Sequence, residues 1–593
     1  MSEEQRSTSA SVKQAKKRIR NTGEKIIQID EEPFAPSTKY SLASSLQSKN
    51  ALRAYFKRNK GPFFLVGFLV AVVLIYFIVF TLDDGSDDFV PVANSESKIK
   101  FNLHPNKPAK HLDPHEAAQV KPPLEQLVTI DDYYKSLTND PDVKNKDRRT
   151  KVRAAMQHAY SNYANLVWGK DELKPLSKSF HNWVPNGLGM TTLDSLDTLY
   201  IMGMKEEFQK AVQFVTSTMP AFGSVHASIS LFETTIRVLG GLLSAYDLSG
   251  EKVFLDRAKD MGDRLLPAFS TNTGVPYASV NLQTGQASNF AWNGGCSVLS
   301  EFGTLQLEFR RLSELTGDNK YDKAATKVMD VMEKHSKTLA VPGLYPVNFN
   351  PDSSSFCSDH ITLGAYGDSY YEYLLKQWIM SNGRLERYRV LYEESAKGIA
   401  NHLLTKSGNH WYISEMRGGQ KVNKVDHLVC FASGMYALGH ATNATHSDVE
   451  ALEIAKQFGK TCYDSYITTA TGLGPEVYQV GDSGDIIPTV KSYLLRPETV
   501  ESLFILYRVT GDEMYQEWGW NIFKAIESYC RVESGYSGVR DVTVKGVVHD
   551  DFQQSFFLAE TLKYLYLLFS PTNVIPLDKW VFNTEAHPFK INA

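Results

Sequence analysis

One short phrase recurs along the chain and limits its fold more than any other feature. Leu248-Ser-Gly-Glu-Lys-Val-Phe254, Leu315-Thr-Gly-Asp-Asn-Lys-Tyr321 and Val509-Thr-Gly-Asp-Glu-Met-Tyr515 each place a glycine, an acid, two residues and then an aromatic, and Ser381-Asn-Gly-Arg-Leu-Glu-Arg-Tyr388 is a looser copy. The glycines fall at 250, 317, 383 and 511, with gaps of 67, 66 and 128, the last being two periods of about 64. Each phrase reads as a helix stop, with glycine closing one helix and the next beginning directly after it. The helices expected before the markers, at 231–246, 302–315, 370–380, 500–509 and 556–569, are apolar nearly all round. Those after them, such as 321–335, 388–403 and 449–463, are apolar on one face. A helix apolar on every side belongs inside and a one-faced helix outside. Adding 193–204 and 428–438 gives about seven inner helices. The expectation is an all-α closed double ring of helical hairpins; periodicity alone also permits an open solenoid of the same hairpins.

Acidic residues hold a fixed place in this repeat. Glu233 precedes Gly250 by 17 positions, Glu301 precedes Gly317 by 16, Asp368 precedes Gly383 by 15 and Glu498 precedes Gly511 by 13. A ring would therefore gather acids at one mouth, at the leading ends of the inner helices. Each acid also has a structural reading. Ser230-x-x-Glu233 and Ser369-x-x-Glu372 have the spacing of capping boxes, Asp368 suits a helix start, and Arg496-Pro-Glu498 suits a first helical turn. Glu233 and Arg237 add a signal that capping does not explain, because they form an i, i+4 charge pair on an otherwise apolar helix. The closing stretch, Val581-Phe-Asn-Thr-Glu-Ala-His-Pro588, is rich in polar ligands and framed by Trp580, Phe582 and Pro588, so it is expected to plug the ring and floor a pocket. Several carboxylates around a concave pocket, with an aromatic such as Phe556 to stack on a sugar, suit glycoside hydrolysis, which needs one protonated and one ionised carboxyl group. The acid must have its proton retained by burial or by like-charged neighbours.

At this point a resemblance becomes specific. Ser230-Leu-Phe-Glu-Thr-Thr-Ile-Arg-Val-Leu-Gly-Gly-Leu-Leu-Ser-Ala-Tyr246, Gly367-Asp-Ser-Tyr-Tyr-Glu-Tyr-Leu-Leu-Lys376, Asp426-His-Leu-Val-Cys-Phe431, Leu495-Arg-Pro-Glu-Thr-Val-Glu-Ser502, Ser555-Phe-Phe-Leu-Ala-Glu-Thr-Leu-Lys-Tyr564 and Phe582-Asn-Thr-Glu-Ala-His-Pro588 resemble the class I α-1,2-mannosidases, glycoside hydrolase family 47, in order and across about 150 to 590. The resemblance implies an (α/α)7 barrel with a C-terminal plug. It also implies an inverting, Ca2+-dependent exo-mannosidase that removes α-1,2-linked mannose from high-mannose N-glycans. By position, Glu233 would be the general acid, acting through a water, and Glu498 the base, with Asp368 assisting or competing for that role. Thr584 would bind calcium through oxygen, as a hard cation prefers. Arg237, Glu301, His427, Arg496, Glu501, Phe556, Glu560 and Glu585 would line the mannose pocket or hold the waters of the ion. Cys430 and Cys462 match the family's disulfide, whereas Cys296, Cys357 and Cys530 receive no assignment from it. Tyr366 stands where relatives of the endoplasmic reticulum type carry Arg and Golgi relatives commonly carry Leu. The missing Arg favours broad trimming, from nine mannoses toward five, in the Golgi. The alternatives are single-mannose trimming in the endoplasmic reticulum and a weakly active glycan-binding lectin of glycoprotein degradation.

The remaining segments fit that setting. Residues 61–82 contain no charged side chain, enough to cross a bilayer, with Arg53, Lys57, Arg58 and Lys60 before them and Asp83, Asp84, Asp87 and Asp88 after. The positive-inside rule then leaves residues 1–60 as a polar cytoplasmic tail, 83–150 as a Pro- and Lys-rich luminal stem, and 151–593 as the luminal catalytic domain. A cleaved signal peptide fits poorly behind so long a leader. The five cysteines all follow the anchor, in an oxidising compartment, and an odd count leaves at least one without an intrachain partner. Asn443-Ala-Thr445 is the one luminal glycosylation sequon. A net charge of -4 argues against a nucleic-acid partner.

Overall fold

The structure is a computed structural model that describes residues 142–445 and 450–592. The expected tail, anchor and nearly all of the stem lie outside the described residues, within which no helix is long and apolar enough to cross a membrane. The first described helix, Val143–Val167, starts inside the stretch that composition assigned to the stem. Asp142 caps it by accepting from Asn145 N, and Arg148 and Arg149 are buried against the body, Arg148 donating to Glu517 and Arg149 to the carbonyl of Phe569. Basic residues that composition reads as solvated stem are here used for docking.

Among the described residues the principal helices form two layers. The inner layer runs through Met190–Asp194 with Leu196–Ile201, Leu231–Glu233 with Gly240–Ser249, Leu299–Gly303 with Gln306–Thr316, Asp368–Met380, Phe431–Ala441, Glu498–Thr510, and Leu562–Leu568. Each of the first six is followed by a partner on the outside, Lys205–Gln213, Lys252–Leu265, Lys320–Ser336, Glu386–His402, Ala451–Ile467 and Met514–Tyr529, and the last takes the first described helix, Val143–Val167, as its partner. Asp368–Met380 shows why the layers sort, since residues 369–380 are all buried, whereas Lys252–Leu265 buries only Phe254, Ala258, Met261, Gly262 and Leu265. The chain closes on itself. Leu562–Leu568 packs against Val143–Val167, and the turn ahead of it, Phe557–Thr561, packs against Met190–Asp194. Closure decides against the open solenoid. The marker glycines 250, 317, 383 and 511 all take left-handed φ between 70 and 74°, which stops each inner helix and turns the chain outward.

The all-α expectation needs one amendment. Short antiparallel strands of two to five residues join the hairpins, too brief for an alternating pattern to show in sequence. They matter for position, because three of them deliver the chain to the leading ends of inner helices. Ser228–Ser230 pairs with Ser279–Asn281 and runs into Glu233; Ser297–Val298 pairs with Asn348–Asn350 and runs into Glu301; Val425–Asp426 pairs with Val477–Val480 and runs into His427.

Residues 581–589 are buried apart from half-buried Thr584, as expected of a plug. Trp580–Phe582 and Pro588–Lys590 form a hairpin whose tip, 583–587, enters the ring. Asn583 shapes the tip: its Oδ1 accepts from Glu585 N (2.9 Å) and His587 N (2.8 Å), and its Nδ2 donates to Ile236 O (2.9 Å) and Glu308 Oε1 (2.8 Å) on two inner helices. Lys563 Nζ donates to Ala586 O at 2.7 Å, and His587 lies between Asp197 (2.8 Å) and Asp194 (3.2 Å).

Candidate active site

A cavity of about 300 Å³ opens where the leading ends of the inner helices meet the plug tip. Glu233, Glu301, Asp368 and Glu498, the acids picked out by their spacing, all line it, together with Arg237, Arg496, Glu501, Phe556, Glu560, Thr584 and Glu585. His427 is the exception. It sits behind the wall, with Nδ1 2.6 Å from Glu498 Oε2 and Nε2 2.6 Å from the Tyr466 hydroxyl. The resemblance gave it as lining the pocket or holding the waters of the ion; here it grips Glu498, which lines the cavity.

The local folding explains these positions. Ser230 caps its helix by accepting from Glu233 N at 3.2 Å, which fixes the first turn. The helix then widens into a π segment, Thr234–Leu239, that carries Arg237, and a second π segment, Phe557–Thr561, carries Glu560. Such bulges recur at functional sites because they re-aim side chains. Arg237 Nε donates to Glu233 Oε2 at 2.8 Å while its Nη1 reaches Glu585, and the guanidinium lies between the rings of Trp183 (5.4 Å) and Phe556 (5.7 Å). The Ser369–Glu372 capping box does not form. The helix begins at Asp368 with Gly367 as its cap, and Glu372 instead pairs with Lys376 (2.5 Å) and accepts from Thr584 Oγ1 (2.9 Å). Arg496 donates from Nε to both oxygens of Glu476, at 2.9 and 2.7 Å, and comes within 4.0 Å of Glu498.

The carboxyl groups are sorted by charge state. Burial works to raise the Glu498 pKa, but the hydrogen bond and charge of His427 and the charge of Arg496 outweigh it and hold the group below its ordinary value. Burial, with Glu372, Glu498 and Asp426 nearby, pushes Asp368 up to about 7, even though it opens a helix and accepts from Ser369 N (2.8 Å). Burial and the neighbouring Glu233 push Glu301 up to about 8, and its Oε2 has no hydrogen-bond partner. Glu501, Glu560 and Glu585 are raised well above the carboxylate range by burial first and by surrounding acids. A low carboxylate and high carboxyl groups facing one cavity make a base and proton donors available together.

Among the described residues no group of three His, Cys, Asp or Glu side chains forms a ready cation cage. Thr584 nonetheless suits a hard cation. Its hydroxyl gives its proton to Glu372, leaving lone pairs on an oxygen that shares the cavity with four buried acids, Glu372, Glu501, Glu560 and Glu585. Oxygen-only donors are what calcium requires, with water completing its shell, and its binding would draw protons from these carboxyl groups.

Several residues of the site escaped the reading of the sequence. Glu372 and Lys376 form an i, i+4 pair on a fully buried helix, the same signal that marked Glu233 and Arg237. Glu172 and Trp183, which support Arg237 from outside the repeat, had none: Trp183 Nε1 donates to Glu172 at 2.8 Å. The Cys430–Cys462 disulfide is present, Cys296 pairs with Cys357, and Cys530 is the free, buried thiol. Asn443 is exposed, just past the helix Phe431–Ala441.

Comparison with known proteins adds independent weight. The model of glycosyl hydrolase family 47 matches residues 155–591. The chain is 50% identical over 465 residues to mannosyl-oligosaccharide 1,2-alpha-mannosidase MNS1 of Arabidopsis thaliana, covering 77% of this chain and 81% of the relative. It is 44% identical over 456 residues to human mannosyl-oligosaccharide 1,2-alpha-mannosidase IB, covering 75% and 70%. Among solved structures, the alpha-1,2-mannosidase from Trichoderma reesei superposes with a TM-score of 0.69 at 30% identity, over 75% of this chain and 99% of that one.

Proposed function

The chain belongs to glycosyl hydrolase family 47 and is a mannosyl-oligosaccharide 1,2-α-mannosidase; from that premise we propose that it is an inverting, calcium-dependent exo-enzyme that trims nine-mannose N-glycans toward five. The observation that carries the reading of its chemistry is the divided charge state of the cavity, with Glu498 held ionised by His427 and Arg496 while Asp368 keeps a proton up to about pH 7.

In this mechanism Glu498 is the base. It accepts a proton from the water that attacks the anomeric carbon, and His427 fixes its carboxylate for that task. Glu233 delivers the proton to the departing glycosidic oxygen through a water. Arg237 holds Glu233 in place and is itself clamped between Trp183 and Phe556. Phe556 packs on the sugar ring, and Arg496, Glu501, Glu560 and Glu585 hold its hydroxyls or the ordered waters. Thr584 would hold calcium, aided by the surrounding carboxylates through water, and the ion when bound supplies charge neutralisation and orientation of the sugar's hydroxyls. A second reading makes Asp368 the donor, and its raised pKa is the observation that favours it over a share in the base. The pH dependence of kcat/KM for Glu233→Gln and Asp368→Asn separates the two, because only loss of the true donor removes the alkaline limb.

The setting completes the proposal. Residues 61–82 anchor the chain in the Golgi membrane with its catalytic domain in the lumen, and Asn443 carries a glycan. Digestion of a nine-mannose N-glycan tests the whole reading: five-mannose product supports broad trimming, and arrest at eight points to the endoplasmic-reticulum type.

A further inference from the structure

Two aromatic jaws aim Arg237 at Glu233, and one buried carboxyl group outside the cavity holds both of them. Glu172 opens the short strand Glu172–Lys174, ahead of the first inner helix, and is 2% exposed. It takes no place in the cavity lining. Its Oε2 accepts from Trp183 Nε1 at 2.8 Å, and its Oε1 accepts from Ser555 N at 3.0 Å. Trp183 covers one side of the Arg237 guanidinium, 5.4 Å from its ring centroid, and Phe556, the neighbour of Ser555, covers the other at 5.7 Å. A guanidinium held between two ring faces keeps its plane as well as its place.

Both jaws are braced from behind. Asp171 accepts at Oδ2 from Trp183 N (2.8 Å) and at Oδ1 from Leu188 N (2.6 Å) and Met190 N (3.0 Å), so the loop that carries Trp183 is pinned where it enters the first inner helix. Gln553 N donates to Leu173 O at 3.0 Å, which lays the segment ahead of Ser555 along the same strand. The Ser555 hydroxyl donates to the fully buried Asp194 and accepts from Arg237 Nη1 at 3.3 Å. With these parts fixed, Arg237 Nε meets Glu233 Oε2 at 2.8 Å.

Packing alone does not call for a carboxyl group here. Both partners of Glu172 are N–H donors, and a carboxylate offers an acceptor to each, whereas a glutamine of the same shape would turn its own amide N–H groups toward one of them. Burying such a group is costly. Burial pushes the Glu172 pKa up to about 7, against the opposing pull of the Trp183 and Ser555 hydrogen bonds and the Arg237 charge. We propose that Glu172 is a positioning residue for the proton-donor side of the site: by holding Trp183 and Ser555 it fixes the plane of Arg237, and through Arg237 the direction of the Glu233 carboxyl group. The proposal rests on the reading of Glu233 as the proton donor; the grip on Arg237 rests on the contacts themselves.

A double-mutant cycle tests it. For the full chain, kcat and KM on α-1,2-mannobiose and Tm are measured in the unaltered enzyme, in Glu172→Gln, in Glu233→Gln and in the pair. Glu172→Gln is expected to lower kcat about 10- to 100-fold while KM moves by less than about threefold. Added to Glu233→Gln it is expected to cost nothing further, because the group it aims is already gone. An equal loss in both backgrounds shows a merely structural role and overturns the proposal, as does an unchanged kcat. If Glu172→Gln fails to fold, Trp183→Phe, which removes the Nε1 donor and keeps a ring against Arg237, carries the same cycle with the same two outcomes. Failure of the donor reading shows separately, as an alkaline limb of kcat/KM that survives in Glu233→Gln, and the coupling between positions 172 and 233 still decides whether Glu172 acts through Glu233.

Discussion

His427 and Glu498 illustrate how one side chain sets the chemistry of another. The Glu498 pKa is depressed in the folded protein, so the carboxylate is available as a base until the pH falls through that low value. His427→Ala removes the largest lowering influence and should move the acid limb of kcat/KM to higher pH; an acid limb that stays in place would show that Glu498 does not titrate there. On the second reading, with Asp368 as the proton donor, Asp368 sets the alkaline limb. With its pKa pushed up to about 7, activity that needs its proton declines as the pH rises through that value. In Asp368→Asn the decline should vanish along with about 10²–10⁴ of the rate, if Asp368 is the donor. The sequence made such residues legible where a charge broke an apolar face, as at Glu233 and Arg237. It hid them where the charge matched a local motif: Glu372 has capping-box spacing, yet the helix begins at Asp368 and frees Glu372 to pair with Lys376. The resemblance likewise did not separate pocket residues from their supports: it gave His427 as lining the pocket or holding the waters of the ion, and His427 bonds to Glu498 from outside the cavity lining.

Among elements, the terminal hairpin bears the greatest responsibility relative to its length. Asn583 satisfies two buried amides of the tip and donates to Ile236 O and to Glu308 Oε1, the latter also accepting from the Tyr373 hydroxyl. Asn583→Ala takes the side-chain acceptor from the Glu585 and His587 amides, at about 1–3 kcal/mol for each one not rescued by water. It should lower Tm and, by loosening Thr584 and Glu585, depress kcat more than binding of small sugars; thermal unfolding with steady-state kinetics reads both. The Cys430–Cys462 bridge joins the start of an inner helix to its outer partner, and Cys430→Ser with Cys462→Ser should cost about 2–5 kcal/mol in denaturant unfolding. The helices were readable because glycine stops and all-round apolarity are strong local signals. The strands that feed them were not, since two or three residues carry no period, and the closing helix Val143–Val167 was partly missed because its basic residues are spent on contacts far away in sequence.

In the whole molecule, a closed ring brings four repeat-related acids to one cavity and a plug from the end of the described chain gives that cavity its floor. On the calcium reading, a chelator should abolish turnover and lower Tm together, because an ion bound only by the folded state stabilises it; readdition of Ca2+ should restore both. Ring closure could not be read from periodicity, which also fits an open array, since it depends on contacts between the first and last helices. The most direct test is proton NMR of a nine-mannose N-glycan during digestion by the unaltered enzyme and by Glu498→Gln. The account predicts β-mannose as the first free sugar, with release slowed about 10²–10⁴-fold in the variant. α-Mannose as the first product, or full activity in Glu498→Gln, would contradict it.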